Sequence, residues 1–215
     1  MLTKTDYLRF LEVPRHLWAE KHGWLEQVVP SDYDRYLMAQ GVEVEGLARQ
    51  FLQRRLAATD PDAELSFQTV LTDGDYYARL DASVYHPDTG RSDIYEIKSA
   101  MSVKKEHLLD AAFQRLVAEA NLDLGHIYLV HVNKQYRRHG HVDISGLFEI
   151  QNVDAETEEL RQELLAGREA AWAAAEAESP DAIEACLKPK SCPCPRLCHP
   201  NLPEFSVYDL SLIHI

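Results

Sequence analysis

The sequence predicts a mixed α/β fold, classed as α+β or α/β, in which helices flank one mixed central sheet. Three stretches between residues 65 and 99 are rich in β-branched and aromatic residues, as expected of strands. Residues 126–132 form an almost continuous apolar run, which is typical of a strand buried on both faces. Helical periodicity precedes and follows these stretches, and 215 residues that are 46% hydrophobic suffice for one sizeable core.

The N-terminal part is predicted to contain three helices. Thr3 and Asp6 have the spacing of a capping box, which begins a short first helix. Pro14 suits the first turn of a second helix, which ends near Gly23. Residues 41–56 form the third helix, because apolar residues recur there at helical spacing.

An antiparallel meander of three strands is predicted next. Residues 65–72 form its first strand and residues 93–99 its third. The second strand, residues 76–85, alternates between apolar and polar positions, and Asp81 lies on the polar side. Residues 86–90 have the composition of a turn and connect the last two strands.

In the second half of the chain, helices are predicted at residues 105–120 and 155–178. Strands are predicted between them, at residues 126–132 and 147–150. The helix at residues 155–178 is long, acidic and alanine-rich, and a tail with several prolines follows it. We therefore predict that residues 1–153 form the core with its N-terminal helices. Residues 154–209 are predicted to form an acidic helix and a cysteine-rich, metal-binding tail of the same domain.

The net charge of −13 does not exclude a nucleic-acid partner, because the charge is unevenly distributed. Ten acidic and two basic residues lie between Asp154 and Glu184, so this stretch carries −8 and leaves −5 for the rest. The sequence lacks an apolar run of about 18 residues, and its polar N-terminus does not resemble a secretory signal. We therefore expect a cytoplasmic protein without a membrane segment.

Two carboxylates and a lysine on the predicted hairpin suggest a catalytic centre. Glu96 and Lys98 share one face of the third strand, with Ile97 opposite, and hairpin pairing brings Asp81 beside them. Carboxylate oxygens bind Mg²⁺ or Mn²⁺, which polarises a phosphate and activates water, and a nearby lysine offsets the developing charge. The alternative is a solvent-facing set joined by a surface ion pair, because so short a pattern is frequent by chance.

Asp81, Glu96-Ile97-Lys98 and Gln114, in this order, resemble the RecB-like branch of the PD-(D/E)XK nuclease superfamily. The resemblance implies a restriction-endonuclease-like core. It implies catalytic roles for Asp81, Glu96, Lys98 and Gln114. It also implies a metal site formed by Asp81, Glu96 and the backbone carbonyl of Ile97.

The same resemblance implies a further metal ligand on an upstream helix, often a histidine four residues after a glycine. Glu45 stands at this position after Gly41, and glutamate is a hard oxygen ligand suited to Mg²⁺ or Mn²⁺. Glu43 is the alternative ligand. The tyrosine that often follows the family's glutamine is absent, since Ala118 stands there.

Several short motifs resemble an uncharacterised bacterial family of RecB-like nuclease domains along nearly the whole chain. They lie at residues 2–4, 14–18, 110–114, 131–136 and 206–210, with a cysteine cluster before the last. The resemblance implies N-terminal helices packed with the cysteine-rich tail, and nucleic acid, above all DNA, as partner. It also implies a nuclease-like domain missing downstream, because residues 210–215 break the family pattern and are expected to be foreign read-through.

All four cysteines lie in the tail, which in a cytosolic chain favours a metal over disulfides. Their spacing is not that of a zinc finger. RecB-like nucleases with iron–sulfur clusters use one N-terminal and three C-terminal cysteines; Cys186, Cys192 and Cys198 match the latter, and Val13 occupies the N-terminal position. We expect Cys194 to supply the fourth thiolate of a [4Fe–4S] cluster. A four-cysteine zinc site and a site without metal are the alternatives.

Together these features predict a Mg²⁺- or Mn²⁺-dependent nuclease that hydrolyses DNA phosphodiester bonds and carries a cysteine-bound cluster. The main alternative is a module that binds nucleic acid or a partner without cutting it. The complete set of Asp81, Glu96 and Lys98 favours the enzyme. A structural interaction protein of the zinc-ribbon type would explain the tail but not the hairpin.

Overall fold

The structure, a computed structural model, describes residues 1–26, 29–188, 191–203 and 205. The chain forms two compact units. The first joins Met1–Lys4 to Pro30–Leu164, and the second joins Thr5–Val29 to the chain from residue 165 onward. The family-like segment at residues 206–210 and the suspected foreign end at residues 210–215 lie outside the described residues.

The described strands are β1 (Leu2–Thr3), β2 (Glu64–Asp73), β3 (Tyr76–His86), β4 (Arg91–Lys98), β5 (Leu124–Val132) and β6 (Phe148–Asn152). The described helices are α1 (Lys4–Glu12), α2 (Pro14–Lys21), α3 (Asp32–Thr59), α4 (Lys105–Glu119), α5 (Ile144–Leu147), α6 (Asp154–Glu176) and α7 (Pro195–Cys198). None of the helices formed by these residues is long and apolar enough to cross a membrane.

The six strands join one mixed sheet, which confirms the predicted fold class. β2, β3 and β4 form the expected antiparallel meander. Helix α4 then leads from β4 to β5, which pair in parallel, and β6 returns antiparallel beside β5. β5 is buried on both faces, with Ile127 and Leu129 on one and Val130 on the other, which agrees with its almost continuous apolar sequence.

The face of β3 that was predicted to be apolar is buried, since every second residue from Ala78 to Val84 is almost inaccessible to solvent. Ala82 and Val84 share a core cluster with Phe51 and Leu52 of α3. This packing fixes β3 and α3 relative to each other. The polar face of β3 is left to the candidate site.

The pairing of β3 is irregular around Asp81. Along one edge, the register of β2 skips Gln68, which stands opposite Asp81 and has a left-handed φ of 56°. On the other edge, β4 pairs only with residues 82–86, and β1 pairs with residues 76 and 77. A gap therefore opens beside Asp81, between the ends of β1 and β4. A non-glycine residue with positive φ is strained, and such strain is concentrated at functional sites.

Helix α3 begins at Asp32 rather than at the predicted residue 41. Ser31 and Asp34 form the capping box that starts it, with the Asp34 N–H donating to Ser31 Oγ at 3.1 Å. Tyr33 and Met38 in this first part of the helix are exposed. The sequence showed no core-facing periodicity here, because this part of the helix buries no apolar stripe.

In the second unit, α2 packs with the cysteine-rich tail, as predicted. The Arg15 N–H donates to the Glu184 carbonyl oxygen at 3.2 Å, and the Arg15 guanidinium donates to the Ile183 carbonyl oxygen at 2.6 Å. The cysteines are buried in one cluster with Ala19, and Val13 packs against it. The N-terminal helices and the tail thus build this unit together.

Candidate active site and metal site

The predicted hairpin brings Asp81, Glu96 and Lys98 to one place. Ala82 pairs with Tyr95, so Asp81 stands opposite Glu96 just beyond the last paired residues of β3 and β4. One oxygen of Asp81 accepts the Ile97 N–H at 2.9 Å. The Asp81 carboxylate thus accepts a backbone N–H of β4 at the point where β3 and β4 separate. This hydrogen bond holds it beside Glu96.

Glu96 is almost fully buried, at 1% exposure, but both of its carboxylate oxygens have partners. Oε1 lies 2.6 Å from Lys4 Nζ and 2.8 Å from Lys98 Nζ. Oε2 accepts a hydrogen bond from Gln114 Nε2 at 2.6 Å. The Gln114 side chain is itself fully buried, so it orients Glu96 from behind.

Helix α4 supplies two polar side chains to this site. Asp110 and Gln114 are four residues apart and therefore lie on the same helix face. Asp110 Oδ2 forms an ion pair with Lys98 and lies 3.7 Å from Lys4 Nζ. The second oxygen of Asp110 and the amide oxygen of Gln114 are buried without a hydrogen-bond partner among the described residues. Each of these two oxygens can therefore accept a further hydrogen bond.

A cleft of about 290 Å³ opens above these groups. It is lined by Lys4, Gly41, Val44, Glu45, Asp81, Glu96, Ile97, Lys98 and Ser99. Glu45 reaches it from α3, where its Oε1 accepts from Arg49 Nη2 at 2.5 Å and from Gln68 Nε2 at 3.1 Å. Glu43 is exposed. Of the two glutamates proposed from the sequence, Glu45 is the one that faces the cleft.

The carboxyl groups of Asp81 and Glu96 have opposite pKa shifts. Burial and the Glu96 carboxylate raise the pKa of Asp81 from 3.8 to about 7. Burial alone would also raise the pKa of Glu96, but the ammonium groups of Lys4 and Lys98 outweigh burial and lower it from 4.5 to about 2. At neutral pH, Glu96 is therefore a fixed anion, whereas Asp81 gains or loses its proton readily.

A second group of ligand-type side chains lies in the second unit. A ring nitrogen of His16 and the sulfurs of Cys192, Cys194 and Cys198 all lie within 4.8 Å of one another, and all four residues are buried. Cys192 Sγ lies 3.4 Å from His16 Nε2 and 3.9 Å from Cys194 Sγ, and Cys194 Sγ lies 3.7 Å from Cys198 Sγ. This cluster can hold a metal ion.

The fourth cysteine of the tail has different neighbours. Cys186 forms a three-residue group with Cys192 and His199. Its sulfur also accepts the Lys188 N–H at 3.3 Å. Cys186 thus lies at the margin of the cluster, whereas His16, which the sequence analysis did not name as a ligand, lies inside it.

The likeness to one solved structure supports the fold of this chain. LHK-Exo in complex with dAMP resembles it with a TM-score of 0.53 and 14% sequence identity, over 81% of this chain and 89% of that chain. A second structure, SSO0001, has a TM-score of 0.46 and 15% identity, over 94% and 87% of the two chains. No protein-family model matches the sequence, and no curated protein does. At 14% identity, the likeness to LHK-Exo shows a shared mixed α/β fold and nothing finer.

Three residues of these sites were missed by reasoning from side-chain chemistry. Lys4, Asp110 and His16 each stood inside a short motif that carried the family resemblance, but none was assigned a role. For Lys4 and Asp110 the signal was a charged residue at a fixed place in such a motif. For His16 it was an imidazole two residues after Pro14, near the position where the family has a cysteine.

Proposed function

We propose that this protein is a Mg²⁺- or Mn²⁺-dependent nuclease that hydrolyses phosphodiester bonds of DNA. The observation that carries the proposal is the convergence of Glu45, Asp81, Glu96 and Lys98 on one cleft. Three carboxylates from three separate elements are costly to gather unless a cation offsets them. A nearby ammonium group is the further part that phosphodiester hydrolysis requires.

The residues of the cleft fit a hard divalent cation. The donors are oxygens, which Mg²⁺ and Mn²⁺ prefer, and they come from Glu45, Asp81, Glu96 and the Ile97 backbone carbonyl. Lys4 already places a positive charge 2.6 Å from Glu96. The site therefore attracts cations. When bound, the metal ion would polarise the phosphate and lower the pKa of a bound water.

The side chains of the protein have separate tasks in this proposal. Gln114 and Lys98 hold Glu96 in one orientation, so its carboxylate is preorganised as a ligand. Lys98 is kept charged, because Glu96 and Asp110 raise its pKa against the effect of burial. The Lys98 side chain is 18% exposed. Its ammonium group orients the attacking water or offsets charge that develops on the phosphate.

DNA is proposed as the substrate for two reasons. LHK-Exo, which shares the fold, was solved with dAMP, a deoxynucleoside monophosphate. The overall charge of −13 also falls largely on the segment between residues 154 and 184, which carries −8 and leaves only −5 for the rest of the chain. Both points support DNA as the polymer to test first.

The test is cleavage of labelled single- and double-stranded DNA with Mg²⁺, Mn²⁺ or a chelator. We expect metal-dependent cleavage that Glu96→Gln, Asp81→Asn and Lys98→Met each reduce by about 100-fold or more. Glu45→Gln should weaken activation by the metal, while Glu43→Gln on the same helix should not. Circular dichroism should show that every variant remains folded.

Two results would contradict the proposal. Full activity of Glu96→Gln would remove the central ligand from the mechanism. Tight DNA binding by the unaltered protein, without cleavage in either metal, would favour a binding module that retains a nuclease fold.

A further inference from the structure

The distances within the tail cluster fit a single metal ion. Four ligands around one tetrahedral zinc ion, with Zn–S bonds of about 2.3 Å, place neighbouring sulfurs roughly 3.8 Å apart. Cys194 Sγ lies 3.9 Å from Cys192 Sγ and 3.7 Å from Cys198 Sγ. The nitrogen of His16 lies 3.4 Å from Cys192 Sγ, slightly closer, as the shorter Zn–N bond requires.

The same distances do not fit the [4Fe–4S] cluster that the family resemblance implies. In such a cluster each thiolate binds a different iron atom at a corner of a cube, so the ligand sulfurs stand much further apart than those on one ion. The predicted ligand set also included Cys186, which groups with Cys192 and His199 instead. The four-cysteine set expected from the sequence is therefore not the set that the fold gathers most closely.

We propose that one buried imidazole and three thiolates hold a single tetrahedral zinc ion. The ligands are His16, Cys192, Cys194 and Cys198, with Cys186 and His199 outside the coordination sphere. Thiolate with imidazole is a typical ligand set for structural zinc. All four residues are buried, so the site is closed and has no position for a substrate. Its role is structural, and it is independent of the proposed nuclease chemistry.

The backbone of the second unit holds His16 in place for this role. Pro14 starts α2, and hydrogen bonds donated by Arg15 join the first turn of that helix to residues 183 and 184 of the tail. His16 follows directly and points into the cluster, where Ala19 packs one turn later. The ion would thus connect α2 to a tail segment 176 residues further along the chain.

Metal analysis of the whole chain, purified without oxygen, tests the proposal directly. We expect one zinc per chain, little iron and no brown colour. After exchange with Co²⁺, the protein should show the intense visible bands of tetrahedral cobalt and sulfur-to-cobalt charge transfer. These readouts do not depend on nuclease activity, so they stand whether or not the protein cleaves DNA.

Substitutions separate the two possible ligand sets. His16→Ala and Cys194→Ser should lose the zinc, whereas Cys186→Ser should retain it. His16→Cys supplies a fourth thiolate, so it should retain the metal and move the cobalt bands to lower energy. This variant tests ligation even if His16→Ala does not fold.

Three outcomes would overturn the proposal. A brown protein with four irons per chain would restore the cluster. Loss of metal from Cys186→Ser but not from His16→Ala would restore the four-cysteine set. A second zinc ion that is lost in Cys186→Ser would show that Cys192 bridges two ions and that the site is not mononuclear.

Discussion

At the level of single residues, the burial of Glu96 is the feature that most constrains the site. A buried carboxylate is tolerated only when charged and hydrogen-bonding partners replace water. Lys4, Lys98 and Gln114 provide these partners, and each contact is 2.8 Å or shorter. Two consequences can be measured, one for Lys4 and one for Asp81.

Lys4→Met should destabilise the metal-free protein by about 1–3 kcal/mol, because it removes one of the two ammonium groups that offset a buried charge. Excess Mg²⁺ should reduce this loss, since the bound ion offsets the same charge. Thermal unfolding with a chelator and with Mg²⁺ measures both values. Lys104→Met is the matched control, because its ion pair with Glu106 is long, at 3.5 Å, and exposed. An equal loss under both conditions would show that Lys4 has no connection with the metal.

Asp81 should make metal binding depend on pH. Its pKa rises from 3.8 to about 7 on folding, so between these values the folded protein holds a proton that the unfolded chain has lost. This group therefore lowers the stability of the metal-free protein as pH rises through that window, and the effect is complete above about pH 7. Because Mg²⁺ needs the ionised carboxylate, its binding should tighten over the same range and then level off.

Calorimetry in buffers of different ionisation enthalpy tests this coupling. Close to one proton should be released per Mg²⁺ at about pH 6, and almost none at about pH 8.5. Asp81→Asn should abolish the release. Proton release that is the same at both pH values would mean that Asp81 does not bind the ion.

At the level of elements, packing decides whether replacing a helical glycine by alanine raises or lowers the stability of the protein, as two glycines show. A Cβ at Gly167 in α6 would overlap Tyr7 Oη and lie 3.1 Å from Tyr7 Cζ, and Tyr7 is fully buried. Gly167→Ala should therefore destabilise the protein by about 1–3 kcal/mol. A Cβ at Gly46 in α3 would meet nothing within 4 Å, so Gly46→Ala should stabilise it by about 0.5–1 kcal/mol.

Chemical denaturation of both variants measures these changes. The unfolded-state contribution of a glycine-to-alanine change is similar for the two, so their difference reports the contact with Tyr7. Equal effects would show that α6 shifts to accommodate the methyl group.

At the level of the whole molecule, the two units depend on different forces. The first has a continuous sheet with an apolar core, whereas the second places its cysteines at the centre of a small cluster. Small cores commonly need a metal or another cross-link for stability. We therefore expect metal removal to affect the second unit far more than the sheet.

Hydrogen exchange before and after chelation tests this expectation. Amides of α2 and α7 should lose protection, because the ion that fixes both would be gone. Amides of β3, β4 and β5 should keep theirs. Unchanged protection throughout would show that the cysteine cluster is stable without a metal.

The meander, the α4–β5 connection and the proximity of Asp81 to Glu96 and Lys98 could all be predicted from the sequence. Each of these depends on strand alternation and on short connections, which are local properties of the chain. The start of α3 at Asp32 could not be predicted, because the first part of that helix has no core-facing pattern.

Two contacts emerge only from the tertiary fold. Lys4 contacts Glu96, 92 residues away, and His16 contacts Cys192, 176 residues away. Contacts at such separation depend on how whole elements pack, and no local periodicity encodes them. The pairing of β1 with β3 brings Lys4 to the gap beside Asp81. The packing of α2 with the tail brings an imidazole where the sequence had suggested only sulfur.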